Sequence, residues 1–250
     1  MKRTPAPRAK TQALRKPTRT AARPARRERP RKSEDAVVLK RRAADILALL
    51  RKEFAGARTA LNFQTPFQLL IATILSAQCT DERVNVVTKD LFARHPSAAD
   101  LAAISQPELE TIIHSAGFFR MKAKNIIACS KGILEHFGGQ VPRRLEDLIR
   151  LAGVGRKTAN VVLGQAFGIA SGVVVDTHVQ RLSGRLGLSA QKTPELIERD
   201  LMTIYPERDW IDIGSIFILH GRKTCKARTP LCPTCQLSSL CPSAQIPPGR

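Results

Sequence analysis

The sequence predicts an all-α fold, and three observations carry that prediction. From Glu34 onward apolar residues recur at intervals of three and four, the spacing that places them on one face of a helix. Several of these runs open on a Thr, Ser or Asp, with proline or an acid just inside, as helix starts do. The run that reads as a strand, within residues 170–182, has no partner elsewhere in the chain, and three valines alone do not make a sheet.

In chain order, Leu39, Ala43, Ile46, Leu47, Leu50 and Phe54 form one stripe, so a first helix reaches about Glu53. Thr65 followed by Pro66 is an N-cap with proline at the first helical position, opening an apolar helix through residue 77. Thr80 and Asp81 start the next, with Val84, Val87, Leu91 and Phe92 as its buried face and Pro96 at its end. Ser97 and Ser105 cap two short helices, the second closed by Gly117. A longer helix spans 123–137 and stops at Gly138 and Gly139. After residue 170, Asp176 or Thr177 is the N-cap of a helix through Leu186, Thr193 with Pro194 opens another, and 211–220 gives the last.

Between these lies LAGVGRKTANVV, residues 151–162. It reads as helix, tight turn, helix. Gly153 and Gly155 bracket Val154, and two glycines at this spacing predict positive φ and close backbone approach. The second helix then starts with main-chain N–H groups facing solvent, a phosphate site by geometry and dipole together. Lys157 falls in its first turn, where carboxylates are the usual occupants. Either it contacts phosphate, or it is an amine kept reactive by the dipole and partial desolvation.

The formal charge is +20 over 250 residues, which calls for a polyanionic partner. Residues 1–32 carry 13 Lys or Arg against Glu28, a net of +12, so the remaining chain is basic in its own right. This proline-rich tail has too little apolar surface to order itself. A nucleic-acid arm that raises encounter rate is the favoured reading of it, with an organellar transit peptide as the lesser one. No run approaches a membrane span and no signal-peptide core is present, which predicts a soluble, intracellular protein with no membrane partner.

Four of six cysteines crowd together as Cys225, Cys232, Cys235 and Cys241, in the spacing C-x6-C-x2-C-x5-C. That predicts a metal centre, either structural zinc or an iron–sulfur cluster, with the spacing modestly favouring the cluster. Cys79 and Cys129 read as small buried hydrophobes. Arg222, Lys223, Lys226 and Arg228 surround the first of the four ligands, so a centre that pins this loop would act as a grip on a nucleic-acid backbone.

The glycine hairpin with its lysine, VDTH nineteen residues later, and this cysteine spacing, in that order, resemble the endonuclease III family of DNA glycosylases over about residues 35–243. The resemblance implies a two-domain helix-hairpin-helix glycosylase fold with a C-terminal iron–sulfur cluster loop. One domain would be a six-helix bundle over 59–170; the other would combine 34–58 with 171–243; 1–33 would be the disordered tail. It implies one 4Fe-4S cluster on Cys225, Cys232, Cys235 and Cys241. It makes Lys157 the catalytic lysine and Asp176 the catalytic aspartate.

The implied activity is excision of oxidised pyrimidines from duplex DNA, followed by strand cleavage at the abasic site through a lysine Schiff base. The partner would be double-stranded DNA with a damaged base or abasic site, bound by a monomer in the cytoplasm at the nucleoid. Gln78 matches the residue that fills the gap left by an extruded base. Phe118 stands where the family's second wedge is commonly leucine, and Ala152 where it commonly has proline. The expected DNA contacts are Gln78, Phe118, Gly153, Val154, Gly155, Arg156, His178, Arg222, Lys226 and Arg228. Three alternatives compete. An adenine-specific mismatch glycosylase would lack Lys157 and carry a further recognition domain, whereas this sequence runs nine residues past Cys241. A monofunctional mismatch thymine or uracil glycosylase, and a non-catalytic DNA-binding module, are the others.

Overall fold

A computed structural model describes residues 34–245. The reading of the basic tail as an arm falls outside those residues. Every regular element within them is helical. In order these are α1 (Ala36–Glu53), α2 (Pro66–Leu75), α3 (Asp81–Arg94), α4 (Ala98–Ala103), α5 (Gln106–Ile113), α6 (Phe119–Phe137), α7 (Leu145–Leu148), α8 (Arg156–Phe167), α9 (Thr177–Arg185), α10 (Pro194–Ile204) and α11 (Trp210–Lys223). None is long and apolar enough to cross a membrane. The strand-like valines form no strand: Val173 and Val175 are buried in the irregular stretch leading into α9.

Most starts follow the local chemistry. The hydroxyls of Thr65, Thr80, Ser97 and Ser105 accept from the N–H three residues on, at Gln68, Arg83, Asp100 and Glu108. Two boundaries differ most from expectation. α6 begins at Phe119, four residues earlier than the apolar pattern predicts, because Phe118 adopts a left-handed conformation and its carbonyl accepts from Lys122 N–H at 3.1 Å, with no side-chain cap to advertise the start. The helix before the glycine turn shrinks to the single turn α7. Thr193 precedes α10 as expected, but no side-chain hydrogen bond caps that helix.

The elements build two hydrophobic cores inside one compact body from Asp35 onward. The first gathers α2 to α8 around Leu69, Leu70, Ile71, Leu75, Leu91, Ile126 and Leu163. α2 is buried on every side from Phe67 to Leu75, the mark of a central helix, and each of its leucines and isoleucines contributes about 1.5–3 kcal/mol by burial. The second core joins α1 to α9, α10 and α11 through Ile46, Leu50, Val179, Ile213 and Phe217. The chain thus leaves the second core after α1, completes the first, and returns.

Polar bridges join the two cores. Glu198 on α10 is 5% exposed and accepts from Arg156 Nε at 2.7 Å and Asn160 Nδ2 at 2.9 Å, both on α8. Gln165 on α8 donates to Ser215 on α11 and accepts from the N–H of Thr59. Arg222 at the end of α11 pairs with Asp81 at the start of α3 at 2.7 Å. A charge as buried as Glu198 persists only when paired and hydrogen-bonded, so this network fixes how α8 faces the second core.

Candidate active site

The glycine turn is organised by one glycine, not two. Gly153 has φ of +76°, and a Cβ there would stand 3.0 Å from that of Asn125 on α6. Gly155 has φ of −92° and is the N-cap of α8. The expectation of positive φ at both is therefore corrected: Gly155 serves by lacking a capping side chain, which leaves the first N–H groups of α8 to an incoming anion. Val154 points inward, 6% exposed, and its N–H donates to the Leu151 carbonyl. It anchors the turn and offers neither side chain nor N–H to a phosphate. Arg156 likewise turns its guanidinium to Glu198, whose carboxylate raises its pKa further.

Lys157, the next residue, is exposed and lines a groove of about 230 Å³ between the two cores. Asp176 lines the same groove. Its Oδ1 accepts from the N–H groups of His178 and Val179 at 2.8 and 2.9 Å, capping α9; both cap bonds use one oxygen, so the second is not committed to the cap. Thr73, Cys79, Asn160 and Gly172 complete much of the wall. A Cβ at Gly172 would overlap the Glu198 carboxylate and crowd Asn160, so only glycine lets the chain pass here. Cys79 is half-buried, packed against the first core at the edge of the groove, whereas Cys129 is fully buried and its thiol is pushed up to about 12 by burial.

Outside the glycines, two described residues have positive φ: Gln78 at +54° and Phe118 at +48°. Both sit in loops, Gln78 between α2 and α3 and Phe118 before α6, and both are exposed, Phe118 by 66%. Left-handed backbone at a bulky residue costs of order 1–3 kcal/mol and is kept where surroundings over-determine it, commonly at functional sites. Phe118 does not fold onto the core.

After α11 the four cysteines ring a separate cavity of about 220 Å³, with Leu182, Arg185 and His220 in its wall. No three cysteine, histidine or carboxylate side chains among the described residues gather tightly enough to hold one metal ion. A single zinc would draw four sulfurs to ~2.3 Å from itself, and a 4Fe-4S cluster likewise takes four thiolates. Burial pushes the Cys235 and Cys241 thiols up, and the other cysteines push in the same direction, so four thiolates here call for a cationic centre. The donor set and the void fit a 4Fe-4S group.

The basic loop is pinned from α9. Arg185 donates to Cys225 Sγ at 3.2 Å and to the carbonyls of Lys226 and Ala227 at 2.8 and 2.7 Å. Arg181 donates to the carbonyls of Cys225 and Gly221. Lys226 and Arg228 are exposed at the loop surface. Arg222 is paired with Asp81, and His178 lies against Arg181 and Gly221 at the start of α9.

Residues 71–207 match the HhH-GPD superfamily of base excision DNA repair proteins. The chain is 58% identical to endonuclease III of Synechocystis sp. over 206 residues, covering 82% of this chain and 94% of that one. It is 47% identical to endonuclease III of Bacillus subtilis, covering 77% and 88%. This chain belongs to the endonuclease III family. A structure of a trapped endonuclease III–DNA covalent intermediate superimposes with a TM-score of 0.78 at 42% identity, covering 82% of this chain and 96% of that one.

Against that family background, the residues that sequence reasoning passed over are mostly supports. Arg181 and Arg185, four apart on one face of α9, announced themselves only as helix-surface charges. Glu198 carries no motif, Asn160 lies in the hairpin stretch without a recognised role, and their partnership depends on α10 returning to α8. Arg58 and Thr59, on the groove wall, lie in a stretch with no helical period to place it.

Proposed function

We propose that Lys157 and Asp176 are the catalytic pair of a base excision repair DNA glycosylase that also cleaves the strand at the abasic site it creates. The observation that carries this reading is their convergence, from α8 and from the cap of α9, on one groove between the cores. The neutral Lys157 amine attacks C1′ of a flipped nucleotide; the C1′–N bond breaks and the base departs with the bonding pair, taking up a proton. Loss of the amine proton and breakage of the C1′–O4′ bond, whose oxygen keeps the pair and takes up a proton, open the sugar and give the Schiff base. Removal of a C2′ proton then expels the 3′ phosphate by β-elimination. Asp176 accepts the amine proton and stabilises positive charge developing on the sugar.

Around this pair, the first N–H groups of α8 hold a phosphate, with Gly153 and Gly155 permitting close approach. Gln78 and Phe118 enter the stack vacated by the flipped base. Lys226 and Arg228 grip the backbone beyond the site, and His178 and Arg222 flank the groove. The domains follow the two cores, 59–170 and 34–58 with 171–243. One chain supplies the whole groove, in keeping with action as a monomer on nucleoid DNA. Cys225, Cys232, Cys235 and Cys241 would hold the 4Fe-4S cluster, whose iron–thiolate bonds would clamp the basic loop in place.

The lesion class is read by incubating the protein with a duplex carrying one thymine glycol in the presence of borohydride. A covalent adduct is the expected result. An adduct on an abasic duplex alone would keep the lyase and reject oxidised pyrimidines as substrate; none on either would return Lys157 to phosphate binding.

For the clamp, anaerobically purified protein is expected to contain four iron atoms and four sulfides per chain. Cys235→Ser should lower both together with thermal stability and DNA affinity. Stoichiometric zinc without sulfide would refute the cluster.

A further inference from the structure

Lys122, in the first turn of α6, is buried at 5% exposure, which is unusual for a lysine. Its ammonium donates to two main-chain carbonyls, Leu75 O at 2.8 Å and Ala116 O at 2.9 Å. Leu75 is the last residue of α2, and Ala116 closes the 3-10 turn that follows α5. Both carbonyls belong to helix ends, where acceptors lack intrahelical partners and a cation is favoured by the dipole. Burial pushes the ammonium's pKa down from the ordinary lysine value, while neighbouring Cys79 pushes it up.

The location of those carbonyls matters more than the bonds themselves. Leu75 lies three residues before Gln78, and Ala116 two residues before Phe118. The two left-handed, exposed residues thus sit on separate loops, 40 positions apart, and one buried ammonium is bonded to the root of each. An apolar side chain in this place would leave both carbonyls orphaned, and separate caps would satisfy them without linking them.

We propose that Lys122 is a positioning residue for duplex opening: it ties the two loop roots together and so fixes the separation at which Gln78 and Phe118 enter the base stack. This rests on the reading of Gln78 and Phe118 as the wedges. Wedges that must occupy one vacated step have little tolerance in their spacing, since misplacement by about an ångström can cost ~100-fold.

The test compares Lys122→Met with the double variant Gln78→Ala/Phe118→Ala and with all three changes combined. Each is assayed on a thymine glycol duplex and on a single-stranded abasic oligonucleotide, which needs no opening. Lys122→Met is expected to lower kcat/KM on the duplex about tenfold or more, and on the single strand less than about twofold. In the double-variant background it should add almost nothing on the duplex. Equal loss on both substrates, or a full additional loss in that background, would make Lys122 a purely structural cap and overturn the proposal. A double variant with no duplex-selective loss would overturn the wedge reading instead. Should Lys122→Met fail to fold, Lys122→Arg, which retains donors but lengthens the tie, is read by the same criteria.

Discussion

Lys157→Ala is expected to abolish the borohydride-trapped adduct on both thymine glycol and abasic duplexes and to lower strand cleavage by roughly three orders of magnitude or more. The loss should fall on kcat, because the covalent step disappears while the α8 N–H groups proposed to bind phosphate belong to the main chain and survive. Stability should change by no more than about 0.5 kcal/mol, since Lys157 is exposed and supports no packing. That combination separates a nucleophile from a phosphate contact. A contact would weaken DNA binding and reduce its salt dependence while leaving adduct formation measurable at saturating DNA. Retention of the adduct by Lys157→Ala would show that another amine performs the attack.

Why the residues proposed for the site stand out in the sequence while their supports do not follows from what each depends on. Lys157 is placed by its own helix: two glycines and a helix start fix it within four residues, and the sequence displays all of them. Asp176 is placed by a local cap onto His178 and Val179, again a short-range matter. The four cysteines stand out by crowding. Arg156 misleads for the same reason. Local sequence puts it in the anion-binding turn, but its partner is Glu198, forty-two residues away on a helix of the other core. Gly155 was expected to twist the chain because Gly-x-Gly spacing suggests it, yet the turn needs only one left-handed residue. The early start of α6 escaped notice because it is set by the strained backbone of Phe118, not by a capping side chain. The helical class itself was secure, since the apolar period was helical throughout and side-chain caps mark six of the eleven helix starts.

The second large effect concerns Asp176, which has two duties that substitution can separate. Asparagine keeps an oxygen able to accept from the N–H groups of His178 and Val179, and it caps helices about as well as aspartate. Asp176→Asn should therefore fold with an unchanged melting temperature. It has no base for the Lys157 proton and no charge to set against the developing cation, so kcat should fall roughly 10²- to 10⁴-fold. Asp176→Ala loses the cap as well, at about 1 kcal/mol, and should show the same kinetic loss with a lower melting temperature. DNA affinity should be unchanged or tighter in Asp176→Asn, because a negative charge has been removed from a groove that receives a polyanion. Measured together, melting temperature, single-turnover rate and dissociation constant separate the two duties, since only the rate is expected to worsen. Near-normal turnover in Asp176→Asn would reduce the residue to an N-cap. The proton and the sugar cation would then need another partner in the groove, and no other carboxylate but Asp81, already paired with Arg222, lines it.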